Sequence, residues 1–341
     1  MKSRSSRILF TIFLAGSLAV FALPGSAQDG PIRQRLKEWA MERQQQKTRP
    51  DVSATTEAKP LKPGDHSFTI EKDGLIRMYR VHVPSRFSAA TPAPLLLAFH
   101  GGGGNMDYQA SDEHYGLIKK SGQEGFIVVF PNGYSKRKSG KLATWNAGKC
   151  CGSARDENSD DVKLVRQIIA NVTAQVNIDR NRIYATGMSN GAMLAYRLAC
   201  EMSDVFKGIA AVAGTDNTLE CKPDHPISIL HIHAENDTHV LFAGGAGPGL
   251  RNKSLVTDFT SVADTVSKWV RLNHCSARPQ RILEKTGAYC DLYSPCQGNT
   301  HVQLCVTETG GHSWPGAEKS RGEAASHAIS ANDIMWGFFN R

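Results

Sequence analysis

Three residues whose types combine in nucleophilic chemistry follow one another in this chain as Ser189, Asp237 and His312. Ser189 is the centre of Gly187-Met188-Ser189-Asn190-Gly191, a Gly-x-Ser-x-Gly pentapeptide. It follows the β-like run 182–186 and precedes the helix-like run 192–200. A serine on a sharp strand-to-helix turn has strained backbone and an exposed hydroxyl, and glycines flank it because side chains there would strike the neighbouring strand or helix. The pentapeptide alone also fits an ordinary connecting loop, so its meaning rests on its company. A serine hydroxyl attacks poorly unless a base takes its proton and an acid orients that base. Asp237 lies in Ala234-Glu235-Asn236-Asp237, just beyond the apolar run 229–233. His312 lies in Gly310-Gly311-His312-Ser313-Trp314-Pro315-Gly316, beyond the run 302–306, and the two glycines let it swing over a sheet edge. Glu235 is a rival acid; Asp237 is preferred because it stands further from the strand end.

Ester chemistry also needs donors for a developing oxyanion. His100-Gly101-Gly102-Gly103-Gly104-Asn105 follows the apolar run 95–99. Backbone N–H groups of Gly102 or Gly103, with that of Asn190, are the expected donors. Read as a phosphate loop, these glycines lack the Lys-Ser/Thr ending. His100 is expected to brace the loop. His231 and His233 share one face of an apolar run and read as core or loop-supporting residues. His239 suits a cavity wall better than a base, and His274 has no strand before it. Trp145 and Trp314 flank these motifs; they read as a substrate wall or as packing. No metal or cofactor is expected, since the cysteines lack paired CxxC spacing.

The elements that must position these groups are legible as alternating runs. Residues 68–70 and 78–83 alternate like an antiparallel hairpin turning at Asp73-Gly74. Strand-like apolar runs follow at 95–99, 126–130, 183–186, 209–213, 229–233 and 302–306, and continuous runs of this kind suit strands buried on both faces. Residues 161–176 carry Val162, Val165, Ile168, Ile169, Val172 and Val176 at helical spacing, with Asp160 as N-cap. The chain closes with a helix-like stretch, 325–339. The pattern predicts an α/β fold: a doubly wound, mostly parallel sheet with helices on both faces and its site at the strands' carboxyl ends.

The chain has 341 residues, 40% hydrophobic and 21% charged, with a net charge of +8. No nucleic-acid motif accompanies that charge, so nucleic acid is not an expected partner. Lys2, Arg4 and Arg7 precede an apolar stretch, 8–23, and Gly25-Ser26-Ala27 ends it; residues 1–27 read as a signal peptide, with an uncleaved anchor as the alternative. No second span is foreseen after cleavage. Residues 28–64 read as a basic helical arm and flexible linker, either a surface contact or a solvated tail, and residues 65–341 as the catalytic domain. Eight cysteines suit an exported, disulfide-bonded protein. Cys200 and Cys221 are placed to close a local loop. Cys275, Cys290, Cys296 and Cys305 are expected to pair among themselves. Cys150 and Cys151 form a vicinal bridge or pair elsewhere.

Taken together, the segments 97–105, Trp145-Asn146-Ala147-Gly148-Lys149-Cys150-Cys151-Gly152, Gly187–Met193, His231-Ile232-His233-Ala234-Glu235-Asn236-Asp237 and 311–316 carry a resemblance. The region 65–341 resembles the secreted poly(3-hydroxybutyrate) depolymerase-like esterases of the α/β-hydrolase fold, which include feruloyl-esterase-like enzymes. The resemblance implies Ser189 as nucleophile, Asp237 rather than Glu235 as acid, and His312 as base. Two departures stand out: the acid loop reads Ala-Glu-Asn where the family more often has glycine and a small residue, and 289–305 is unusually rich in cysteine. The expected function is a secreted or periplasmic serine ester hydrolase acting through an acyl-enzyme on a small or oligomeric ester. Soluble hydroxyacyl or hydroxycinnamoyl esters are preferred to solid polyester, because no polymer-adsorbing module follows the last helix. Acyl transfer by the same triad and a non-catalytic binding role are the alternatives.

Overall fold

The structure is a computed structural model that describes residues 59–72, 74–318 and 324–341. The expected leader and most of the arm lie outside the described residues. The strands are β1 (Gly64–Lys72), β2 (Leu75–Val83), β3 (Ala93–Phe99), β4 (Ile127–Pro131), β5 (Ile178–Met188), β6 (Gly208–Val212), β7 (Ser228–Ala234), β8 (Gln280–Lys285), β9 (Ala288–Tyr293) and β10 (Val302–Thr307). The longer helices are α1 (Leu117–Glu124), α2 (Asp161–Thr173), α3 (Asn190–Glu201), α4 (Val262–Leu272) and α5 (Ala331–Phe339).

The ten strands make one sheet in the order β1-β2-β4-β3-β5-β6-β7-β10-β9-β8. From β4 through β10 every neighbouring pair is parallel, and antiparallel strands close both edges. All seven residues of β3 are buried because helices cover both faces. Leu95, Leu97 and Phe99 pack into one core with residues of α2, α3 and α4, while Leu96 and Ala98 pack into a second with residues of α1 and α5. This is the doubly wound α/β-hydrolase arrangement.

Local chemistry explains where the elements begin and end. The Asp160 side chain accepts the N–H of Lys163 and caps α2. The last helix starts at Ala331 under a Ser330 cap, not at Ala325. The preceding residues instead fold back on the histidine loop, where Gly316 N–H reaches Ser326 O at 2.8 Å and Ala331 N–H reaches Pro315 O at 2.9 Å. β8 and β9 were not foreseen. β8 is an edge strand with no buried residue, and β9, paired between β10 and β8, alternates buried with half-buried residues, so neither carries the continuous apolar run that marks an interior strand.

Four disulfides pair Cys150–Cys151, Cys200–Cys221, Cys275–Cys296 and Cys290–Cys305. The local loop and the late four-cysteine cluster pair as expected, and the vicinal pair is bridged. Among the described residues no helix is long and apolar enough to cross a membrane.

Candidate active site

β5 ends in a turn that sequence alone could describe. Ser189 has φ 56° and ψ −121°, a left-handed-side conformation that a serine adopts only when its surroundings force it. Its N–H bonds Val212 O at 2.9 Å, and its carbonyl accepts the N–H of Met193 at 3.0 Å as α3 begins. The flanking glycines are obligatory for space: a Cβ on Gly187 would sit 2.5 Å from the Gly191 carbonyl carbon, and one on Gly191 would sit 2.2 Å from Phe99 O.

Asp237 and His312 come from the loops after β7 and β10, which are neighbouring parallel strands. His312 Nδ1–H donates to Asp237 Oδ2 at 2.8 Å. The other carboxylate oxygen accepts the N–H groups of His239 (2.7 Å) and Val240 (3.1 Å). Burial by itself would push the pKa of Asp237 up and favour the neutral form, but hydrogen bonds from His233 and His312 outweigh it and hold the carboxyl well below its usual range. Glu235 is exposed and takes no part. Asn236, between the two acids, ties the loops together, its Oδ1 accepting the N–H of Gly311 at 2.9 Å.

The glycine-rich loop is braced from behind. Burial pushes the His100 imidazole down to about 4, so it is neutral. Its Nδ1–H donates to Gly101 O at 2.8 Å and its Nε2 accepts the Gly133 N–H at 3.0 Å. Gly103 is not available as an oxyanion donor, contrary to one of the two expectations for this loop. Its N–H is already bonded to Ala143 O at 2.8 Å. Gly102, the other of the two, has an N–H with no acceptor among the described residues, and it lines the cavity with Gly101 and Gly104. The Asn190 side chain is committed elsewhere: Oδ1 accepts Trp145 N–H at 2.7 Å and Nδ2 donates to Trp145 O at 3.0 Å.

Trp145 is likewise corrected from substrate wall to post. It is fully buried, its Nε1–H donates to His100 O at 3.0 Å, and its ring packs against Phe99 and His100. Trp314 and His239 do line the cavity, which has a volume of about 500 Å³ and also holds Ser189 and His312 at its wall. The His239 ring stacks on that of His312, centroids 4.7 Å apart. Sequence reasoning missed other residues of the wall, among them Tyr108, His114, Tyr115, Met188 and Arg251. Tyr115 meets Trp314 edge-on at 5.4 Å, and Tyr108 meets Tyr115 at 5.8 Å. Tyr108 lies in a single helical turn, Met106–Gln109, and Tyr115 in the turn that follows, stretches too short for a period to mark a side chain as facing a cavity.

A family model described as esterase PHB depolymerase matches residues 78–228, a stretch that includes both the glycine loop and the serine turn. Over those residues the chain matches the PHB-depolymerase-like esterase family. Within this family it is similar to feruloyl esterase B of Piromyces equi, 30% identical over 238 residues, which cover 68% of this chain and 42% of that protein. The chain thus spans well under half the length of that relative. It is also similar to the putative esterase NocK of Nocardia uniformis subsp. tsuyamanensis, 26% identical over 328 residues, covering 92% of this chain and 90% of that one. Among solved structures, an acetyl xylan esterase from Aspergillus awamori superposes with a TM-score of 0.55 at 12% identity, covering 81% of this chain and 99% of that one, and shares the fold.

Proposed function

We propose that this chain is a secreted serine carboxylesterase working through Ser189, His312 and Asp237. The observation that carries the reading is the Asp237–His312 hydrogen bond beside a conformationally forced serine on one cavity. With Nδ1–H held by Asp237, His312 Nε2 takes the Ser189 proton as Oγ attacks the ester carbonyl. The Gly102 and Asn190 N–H groups hold the oxyanion. The tetrahedral intermediate collapses, and the leaving alcohol receives the proton from His312. Water, deprotonated by His312, then cleaves the acyl-enzyme and releases the acid. Asp237 stays ionised throughout and stabilises the imidazolium.

For substrate, the Tyr108, Tyr115 and Trp314 wall favours an acyl group with a flat or apolar body, and relatives named feruloyl esterase are in accord. Soluble hydroxycinnamoyl or hydroxyacyl esters are therefore preferred to solid polyester. The disulfides favour an oxidising compartment. Ser189→Ala should reduce kcat on p-nitrophenyl butyrate by about 10⁴ or more and abolish labelling by a fluorophosphonate. Near-normal turnover in that variant would refute the mechanism. Comparing methyl ferulate, 3-hydroxybutyrate oligomers and solid polymer tests the substrate class.

A further inference from the structure

Behind Asp237, on the side away from the cavity, three buried polar side chains that the ester chemistry does not use stand in a row. Tyr196 Oη lies 2.8 Å from His231 Nδ1. His231 Nε2 lies 3.1 Å from His233 Nδ1. His233 Nε2 lies 2.8 Å from Val240 O and 3.3 Å from Asp237 Oδ2. All three side chains are sealed from solvent, with Tyr196 on α3 and both histidines on β7.

The partners dictate which way every hydrogen points. Val240 O and the Asp237 carboxylate can only accept, so His233 Nε2 carries a hydrogen. A neutral His233 then offers Nδ1 as an acceptor, which His231 Nε2–H fills. That leaves His231 Nδ1 as an acceptor, and the Tyr196 hydroxyl fills it. The reverse orientation would need a second proton on His233 and would leave the Tyr196 O–H without an acceptor among the described residues, a costly state in a dry interior. Burial agrees with this direction, since it holds His231 well below the usual histidine range and the Tyr196 phenol well above its own.

We propose that Tyr196, His231 and His233 form a one-directional hydrogen-bond chain that keeps His233 a neutral donor to the Asp237–Val240 loop, so that the Asp237 charge is aimed at, and reserved for, His312. Tyr196 does for the His233 tautomer what Asp237 does for that of His312. A doubly protonated His233 would neutralise Asp237 from behind and weaken its hold on the imidazolium. The three are positioning residues; none touches substrate. The inference rests on the proposed roles of Ser189, His312 and Asp237.

The test uses the full chain with p-nitrophenyl butyrate and Ser189→Ala as the reference. His233→Leu removes the donor, whereas His233→Gln keeps an N–H near the Nε2 position. His233→Leu should lower kcat by about tenfold to a hundredfold with KM within about twofold, and His233→Gln should recover to within about threefold of wild type. Tyr196→Phe should lower kcat by about two- to fivefold. Nitrogen-15 NMR of the histidine-labelled wild type at pH 7 should find His233 Nδ1 and His231 Nδ1 unprotonated and both Nε2 atoms protonated, a readout that needs no variant to fold. A protonated His233 Nδ1, a fully active His233→Leu, or equal losses in the Leu and Gln variants would each overturn the proposal. An active Ser189→Ala would instead sink the esterase mechanism itself and leave the NMR result to judge the chain.

Discussion

The two halves of the site are braced in different ways. On the oxyanion half, side chains hold backbone: His100 bonds Gly101 and Gly133, and Asn190 bonds both backbone groups of Trp145. On the charge half, backbone and buried histidines hold a side chain: Asp237 accepts two main-chain N–H groups and two imidazoles. The first arrangement fixes where a partial positive charge points and depends mainly on shape. The second fixes where a full negative charge sits, so it depends on the protonation state of each neighbour. Errors on the charge half should therefore cost chemistry, and errors on the oxyanion half should cost stability together with chemistry.

Asp237→Asn tests the charge half most severely. It should lower kcat by about 10⁴, the size an acid-to-amide change has in serine triads. Asn190→Ala tests the other half. It strands the N–H and C=O of a fully buried Trp145, so urea unfolding should show a loss of about 2–4 kcal/mol, with kcat falling alongside. A stable, inactive Asn190→Ala would erase the contrast. The tryptophans sharpen it further. Trp145→Phe should cost about 1 kcal/mol and leave KM for methyl ferulate unchanged, since the ring is a post. Trp314→Ala should raise that KM by about five- to tenfold, since its ring lines the cavity.

The smallest effect concerns acid. The Asp237 carboxyl is held below its unfolded value, so its contribution to stability is complete above about pH 4 and drains away as pH falls toward the folded value. Wild type should therefore lose stability faster than Asp237→Asn between about pH 4 and 2, followed by circular dichroism. Parallel curves would mean that the carboxylate is not held as described.

Sequence carried the interior of this fold well and its periphery poorly. β3, β4, β6, β7 and β10 are legible because strands covered on both faces must be apolar throughout. β8 and β9 are not: the edge strand Gln280–Lys285 exposes most of what it carries, and β9 alternates buried with half-buried residues, Asp291 among them, in place of a continuous apolar run. The site shows the same divide. Ser189, Asp237 and His312 stand at strand ends, where a short motif marks both the residue and its place. Trp145 and Trp314 look alike in sequence, and only packing separates a post from a wall. Tyr108 and Tyr115 sit in a four-residue helix and the turn after it, too short for a period to encode their facing. His231 and His233 read as core or loop support on alternation alone. Their linkage to Tyr196 depends on how the Tyr196 side chain of α3 reaches His231 on β7, a fact of tertiary structure.

The Asn236–Gly311 hydrogen bond has a consequence for anyone who would remodel this cavity. Asp237 and His312 sit on separate segments, 75 residues apart in the chain, yet one side chain from the Asp237 segment fixes the start of the His312 turn. The two loops are thus inherited as a pair, and a graft that brings one without the other would deliver both groups out of register. The two tyrosines of the aromatic wall carry no such obligation. Tyr108 and Tyr115 belong to a segment separate from both loops, so the range of esters accepted can drift while the chemistry stays where it is.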